Sequence, residues 1–205
     1  MYKLLFISLV FLTYHLCEKA TWGFTVARLL TSHDLNFSNY QDPTPYLSQT
    51  FYLKDQGGQS FVFFSEDGRT VLKFFKDMPR PWLLWPSYQK KKLSKLSRTL
   101  QGYTLAMERL PESSALIALH FKTTKEPLFV TLVDRLHIAH RVDLSKVYFA
   151  LQRKVDPLSS ETPLTPLLEE LKKAGLTDHD HRLEQNIGQD RGRLVFLDPG
   201  RFTLL

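Results

Sequence analysis

Two short apolar runs, Phe61–Phe64 and Val71–Phe75, flank the turn segment Ser65-Glu66-Asp67-Gly68, and this pair constrains the fold more than any other feature. Runs of this length suit strands better than free-standing helices, and Asp-Gly supplies the positive-φ position that a tight reversal needs. The pair predicts an antiparallel hairpin and commits this part of the chain to a sheet. One residue in the second run is discordant. Lys73 places an ammonium in mid-strand, where it must reach water or find a partner, because burying it unpaired is expensive.

The pattern after the hairpin changes period. Leu93, Leu96, Leu100, Tyr103, Met107 and Leu110 alternate spacings of three and four and predict one amphipathic helix, closed by Pro111 and weakened in its middle by Gly102. Lys90, Lys91, Lys92, Lys95 and Arg98 fall mostly off that stripe, as a solvated face or a membrane-surface patch would. Pro79, Pro81 and Pro86 break up the stretch before this helix, around Trp82 and Trp85. Further strands are predicted at Ala115–Phe121, Leu128–Val133 and Val147–Gln152. A second helix is predicted at Pro166–Ala174, with Thr165 as its cap and Gly175 at its end. A short strand, Arg193–Leu197, then leads into Asp198-Pro199-Gly200. Strands with one inserted helix, then a helix, a polar loop and a strand make an α+β pattern.

With 205 residues, 43% of them hydrophobic, the chain can bury one sizeable core. The net charge of +6 is spread among 21 acidic residues instead of forming a tail. A phosphate-bearing ligand or an anionic membrane surface accounts for it, and nucleic acid is not an expected partner. Cys17 is the only cysteine, which excludes an internal disulfide, a thiolate zinc cluster and a Cys-Cys redox pair. At the N-terminus, Lys3 precedes the charge-free run Leu4–Leu12. That run is shorter than the roughly 20 apolar residues of a spanning helix, and a basic start before a short apolar stretch fits a secretory signal better. Residues 1–24 therefore read as a signal peptide or membrane anchor, the segment through which a membrane would be met. The protein is expected to be exported or membrane-anchored. The other reading is an N-terminal strand or helix buried in the fold. Pro43 and Pro45 make 25–50 a linker, ahead of a folded domain at 51–205.

The chemistry-bearing residues come in a definite order. Gly57 and Gly58 form a small-residue turn entering the first strand of the hairpin, and backbone amides approach phosphates only where side chains are absent. Lys73, one hairpin later, becomes a candidate phosphate ligand. Its expected carboxylate partner is Glu108 on the flank of the helix stripe, with Glu112 as the fallback. Next comes Asp178-His179-Asp180-His181-Arg182-Leu183-Glu184-Gln185-Asn186, and a short hairpin's length later Asp198. An Asn and an Asp brought together by such a hairpin offer two hard oxygen ligands for Mg²⁺. An aspartate upstream can orient or deprotonate an attacking hydroxyl. A competing reading makes Asp178, His179, Asp180 and His181 transition-metal ligands, with His137 and His140, expected in a polar hairpin after Asp134-Arg135, as further ones. Alternating residues on an extended segment point to opposite faces, which counts against one shared ion. The sequence has no Gly-x-Ser-x-Gly elbow and no Walker-type loop.

In this order the residues resemble the protein-kinase-like superfamily. Lys73 in Val71-Leu72-Lys73 is similar to that family's ATP lysine, and Val62 to the valine over the nucleotide base. Asn186 and Asp198 resemble its two magnesium ligands, and Gly200 completes an Asp-x-Gly signature. The matching segments run from about Gly57 to Gly200. The resemblance implies a minimal kinase-like fold: a strand-rich N-terminal lobe with one helix, a hinge near Ala150-Leu151-Gln152, and a reduced C-terminal lobe. It also implies ATP and Mg²⁺ as cofactors and phosphoryl transfer to an unknown acceptor, protein or small molecule. Lys73 and Asp180 would then be catalytic; Gly57, Gly58, Val62, Lys73 and Glu108 would bind the nucleotide, and Asn186 and Asp198 the metal. The chain departs from the family in three ways. His181 stands where the family's loop has its aspartate, the two glycines are adjacent, and the sequence ends at Leu205, before the helices that hold a peptide substrate. The alternative these departures raise is a catalytically inactive pseudokinase or an exported interaction module.

Overall fold

The three-dimensional structure, a computed structural model, describes residues 2–31, 33–76, 86–158, 162–180 and 183–205. The Pro- and Trp-rich stretch around Trp82 and Trp85, and His181, lie outside these. After helix α1 (Tyr2–Thr21), the strands β1 (Thr50–Gln56), β2 (Ser60–Ser65) and β3 (Thr70–Phe75) form an antiparallel meander. β2 and β3 are the predicted hairpin, and Gly68 takes a φ of 68° in its turn. Helix α2 (Pro86–Arg109) follows, then β4 (Leu116–His120), β5 (Phe129–Val133), β6 (Ala139–Asp143) and β7 (Phe149–Arg153). These complete a seven-stranded mixed sheet in the order β4-β7-β3-β2-β1-β5-β6, in which only β1 and β5 pair in parallel. The sequence patterns missed β1 and β6.

The remainder of the chain is smaller in scale. β8 (Asp156–Pro157) leads to helix α3 (Thr165–Lys173), β9 (Leu176–Asp178), β10 (Ile187–Asp190), β11 (Arg193–Phe196) and β12 (Phe202–Leu204). β8, β10 and β11 form one small sheet, and β9 pairs with β12 in another. α3 begins one residue before Pro166, with Leu164 at its N-cap and no side-chain cap, so Thr165 is the first helical residue and not the cap. Gly175 ends it with a φ of 69°. The fold is thus α+β, with three α-helices among the described residues.

Strand alternation gives the large sheet two buried faces. Phe51, Phe63, Leu72, Phe74, Phe149 and Leu151 point to one face, where edge-to-face contacts such as Phe63–Phe74 at 5.5 Å build an aromatic core. The segment expected as a linker covers that face and an edge. Leu29 and Leu47 are buried in the core, as is Phe24 at the end of the expected leader, and Tyr40 bridges backbone to backbone with Leu119 on the outer edge of β4. Asn39 holds the same edge: its Oδ1 accepts from the amides of Phe121 and Lys122, and its Nδ2 donates to the Lys122 carbonyl. Residues 25–50 therefore pack as part of the folded unit, because the sheet offers an apolar face that needs covering.

The other face carries Phe75, Leu119 and Ala150, and α2 lies on it through Leu96, Leu100, Tyr103 and Ala106. Leu167, Leu171, Ile187, Phe196 and Phe202 extend this core into the C-terminal part. The stripe read from the sequence is the buried face of α2, with Leu93 and Met107 at its half-buried margins.

Candidate functional site

Because side chains alternate along β3, Lys73 and Phe75 turn to the α2 side while Leu72 and Phe74 turn away. Lys73 does not end in water. Its Nζ lies 2.7 Å from Asp198 Oδ2, with the lysine side chain 12% and the aspartate side chain 43% exposed. Beneath the pair is Tyr103 of α2, whose ring centroid is 5.3 Å from Lys73 Nζ. The Tyr103 hydroxyl donates to Asp198 Oδ1 at 3.0 Å. Burial, reinforced by the Asp198 charge and this hydrogen bond, pushes the Tyr103 phenol well above its ordinary pKa. The phenol therefore stays protonated as a fixed donor across the physiological range.

Asp198 is placed by the segments on either side of it. Leu197 donates its amide to the Asn186 carbonyl at 2.7 Å, which closes the β10–β11 hairpin and brings the two ends together. The buried Gln152 of β7 donates from Nε2 to the Leu197 carbonyl at 2.8 Å, tying the turn to the large sheet. On the α2 side, a Cβ at Gly102 would come within 2.2 Å of the Pro199 carbonyl oxygen. The glycine that weakens the helix is what lets the Asp198-Pro199-Gly200 turn lie directly on it.

Asp180 faces the same space. Its Oδ2 accepts from Asn186 Nδ2 at 3.1 Å and lies 3.5 Å from Arg201 Nε. Asp178 supports it, accepting the Asp180 amide at Oδ1, while its Oδ2 is buried without a hydrogen-bond partner. Burial raises the Asp178 carboxyl above its usual range, and the charges of Asp180 and Asp198 push the same way. Lys73, Asp180, Asp198, Arg201, Thr99 and Gln59 line a cavity of about 150 Å³. This is small beside the roughly 300–1,000 Å³ of ordinary small-molecule sites. It has room for phosphate groups and an ion, and a nucleoside would have to lie outside it.

The structure thus brings Lys73, Asp180 and Asp198 to one cavity, with Asn186 attached through Asp180. It does not bring Glu108 there. Glu108 sits near the C-terminal end of α2 and accepts a short hydrogen bond from the Tyr40 hydroxyl. Glu112 is also elsewhere, 3.8 Å from Arg193. The partner of Lys73 is Asp198, because Tyr103 and not a glutamate occupies the part of α2 facing the lysine. Gly57 and Gly58 form the β1–β2 turn, closed by the Gly57 amide donating to the Ser60 carbonyl at 3.0 Å. Val62 is half-buried on β2, in register with Lys73. Ala150-Leu151-Gln152 is no hinge: β7 is an interior strand paired with both β3 and β4, and the chain leaves the sheet only after Arg153.

Sequence reasoning missed Tyr103, Thr99, Gln59 and Arg201 as site residues. Tyr103 gave a signal, since a phenol in a buried stripe needs a partner for its hydroxyl. The competing metal reading includes His181, which lies outside the described residues; among the described residues no group of three His, Cys, Asp or Glu could hold an ion. His179 is bonded to Thr203 Oγ1 at 3.0 Å, and His140 to Asp134 at 2.9 Å. His137 lies in the β5–β6 turn and His140 on β6, and that turn is mixed, with Leu136 and Ile138 exposed beside Arg135 and His137.

No protein-family model matches the chain, and no curated protein matches it. Among solved structures it is similar to a co-crystal of WbdD with the kinase inhibitor LY294002, at 16% identity and a TM-score of 0.43. That match covers 74% of this chain and 33% of the WbdD chain. A crystal structure of WbdD alone gives 16% identity, 74% and 32% coverage and a TM-score of 0.42. The chain spans about a third of the length of these structures. A likeness this distant leaves the site resting on its own geometry.

Proposed function

We propose that this chain is a minimal kinase-like domain that binds ATP with Mg²⁺ and transfers a phosphoryl group to an acceptor of unknown identity. The observation that carries the reading is the convergence of Lys73, Asp180 and Asp198, from β3 and two distant loops, on one phosphate-sized cavity. The donor set fits the cofactor. A carboxylate (Asp198) and an amide (Asn186) offer oxygens of the kind Mg²⁺ prefers, and each carboxylate oxygen keeps a lone pair after accepting one hydrogen bond. Asp198 and Asn186 would hold the ion, which would supply charge neutralisation for the phosphates. Lys73 holds phosphate oxygens as a point charge, and Tyr103 fixes the rotamer of Asp198. Asp180 orients the acceptor hydroxyl once Arg201 swings aside, which its half-exposed side chain permits. Gln59 and Ser60, next to the glycine turn, line this cavity, and a Cβ at Gly58 would meet nothing within 4 Å.

The second reading is a domain of the same shape without turnover. The small cavity and the pairing of Asp180 with both Asn186 and Arg201 favour it. A thermal-shift titration separates these, because a ligand that binds only the folded state raises its melting temperature. Millimolar ATP with Mg²⁺ is expected to raise it, and Lys73→Met and Asp198→Asn are each expected to abolish the rise. No shift in the unaltered protein refutes nucleotide binding. Binding without release of γ-phosphate selects the second reading.

For localisation we propose that α1 engages a membrane or an export pathway. Leu5, Phe6, Phe11 and Leu12 on α1 are all more than half exposed, an arrangement water penalises. Among the described residues no helix is long and apolar enough to cross a membrane. A reporter carrying residues 1–24 that stays wholly cytosolic refutes the proposal.

A further inference from the structure

The C-terminal end of α1 is fixed to the folded body on both sides of its closing turn. The Gly23 amide donates to the Glu18 carbonyl at 2.8 Å, and Arg28 Nη1 lies 3.7 Å from Glu18 Oε1. Phe24 then enters the aromatic core edge-on to Phe61, Phe63 and His140, with ring centroids 5.4, 5.3 and 5.7 Å away. The β5–β6 turn meets the same end of α1. Arg135 Nη1 donates to the Lys19 carbonyl at 3.1 Å, and its guanidinium lies 4.5 Å from the Trp22 ring centroid. Within the turn, Asp134 Oδ1 accepts the amides of Leu136 and Ile138, and Asp134 Oδ2 is bonded to His140 at 2.9 Å. These bonds set the turn's shape, and Leu136 and Ile138 stand out from it, 50% and 51% exposed.

Two properties of this end of the molecule fit one partner. Leu136 and Ile138 lie where α1 leaves the body, and they continue, past the exposed Leu16, the exposed apolar surface of that helix. In the segments 18–22 and 134–141, the exposed side chains of fixed charge are Lys19, Arg135 and Arg141, all basic. The two carboxylates there, Glu18 and Asp134, are engaged by Arg28 and His140. Tryptophan, arginine and lysine at the foot of an apolar helix suit the headgroup level of a bilayer. Two exposed aliphatic side chains are too little surface for a stable protein–protein interface. Inserted into lipid, each favours binding without needing a partner of matching shape.

We infer that the β5–β6 turn is a second membrane contact, which docks the folded body onto an anionic bilayer at the point where α1 enters it. Leu136 and Ile138 dip below the headgroups, while Lys19, Arg135 and Arg141 meet lipid phosphates. The inference rests on the membrane reading of α1 and extends it to a retained anchor, because losing α1 would remove the Glu18 and Lys19 groups that Arg28 and Arg135 contact.

Co-sedimentation of the full chain with vesicles of equal parts phosphatidylcholine and phosphatidylglycerol tests it. The pair Leu136→Ser and Ile138→Ser is expected to weaken binding at least about fivefold. Leu205→Ser, at an apolar residue 76% exposed elsewhere, is expected to leave it within about twofold. Since Cys17 is the only cysteine, Cys17→Ser with Ile138→Cys carries a single environment-sensitive dye, whose emission is expected to shift to the blue on these vesicles. The same dye at Leu205→Cys is expected not to shift. Circular dichroism checks folding, and the dye at position 138 decides alone if the serine pair does not fold. No binding by the unaltered chain refutes the α1 reading and the inference together. Binding that Leu5→Ser with Phe11→Ser abolishes, with no effect of the serine pair and no shift of the dye at 138, keeps the α1 reading and overturns the inference. Equal weakening by Leu205→Ser overturns it too. So does a blue shift that grows with protein concentration in the absence of vesicles, because a second copy of the chain then covers the turn.

Discussion

Gly102→Ala sets two effects of opposite sign against each other. In the interior of a helix, replacing glycine by alanine stabilises by about 1 kcal/mol, through lower backbone entropy in the unfolded chain. Here, however, the added Cβ would stand 2.2 Å from the Pro199 carbonyl oxygen and 3.0 Å from the Gly200 carbonyl carbon. Ordinary C···O contacts begin near 3.3 Å, so the turn or the helix must shift by roughly 1 Å. The obstacle is backbone, not the end of a flexible side chain, which puts the overpacking cost toward the upper part of its usual range of about 1–3 kcal/mol. The net expectation is a loss of about 1–2 kcal/mol, or a fall in melting temperature of about 2–8 °C for a chain of this size. The shift displaces Asp198 from Lys73, so any Mg²⁺-dependent nucleotide response should fall more than stability does. Gly58→Ala is the control: nothing lies within 4 Å of its Cβ, and melting should barely change. Melting curves with and without ATP and Mg²⁺ read both effects. A Gly102→Ala protein that melts higher than the parent would refute the reasoning, since helix propensity alone would then govern the position.

Asp178→Asn should stabilise the protein at pH 7 by roughly 1 kcal/mol, by relieving a buried, unpartnered carboxylate oxygen beside two acidic neighbours. Since the folded-state carboxyl of Asp178 is raised, its penalty is fully present above that raised value and disappears below the ordinary value of 3.8, so the advantage of the variant should shrink as pH falls through that window. A variant that melts lower at pH 7 contradicts this. Asn39→Ala removes three backbone-directed hydrogen bonds and should cost about 1–3 kcal/mol in denaturant unfolding; no change would make residues 25–50 a passive linker after all. The hydrogen bond to Glu108, with burial and the glutamate charge behind it, raises the Tyr40 phenol to about 12. Ultraviolet titration should find this late-ionising tyrosine, and Glu108→Gln should bring its ionisation earlier; an unchanged titration in that variant removes the pairing.

Much of the fold was legible because it rests on local patterns. The Asp67-Gly68 hairpin, the stripe from Leu96 to Leu110 and the Gly175 stop each state their structure within a few residues. β6 gave no such signal, since only Val142 of its five residues is buried and the strand lies at a sheet edge. β1 alternates through Phe51 and Leu53 alone before turning polar, too briefly to stand out. At the site, the residue types were legible but the pairing was not. Helical spacing put both Tyr103 and Glu108 near the face toward the sheet, and nothing local shows that the tyrosine lies beneath Lys73. That choice depends on where the Asp198 turn lands, and the turn lands on Gly102, a position the sequence presents only as a weak point in a helix.

The distance in sequence between Tyr103 and Asp198, 95 residues, has a kinetic consequence. The β1–β2–β3 meander closes through short loops and can form early, whereas the Lys73–Asp198–Tyr103 contact requires a long loop to close first. The turn that carries Asp198 hangs from small two- and three-stranded sheets, so it can detach while the seven-stranded sheet stays intact. Native-state hydrogen exchange should therefore separate two cooperative units. Amides of β10 and β11 should exchange through a partial opening, and those of β2, β3 and β7 only through global unfolding. A ligand bridging Lys73 and Asp198 would fuse the two units into one.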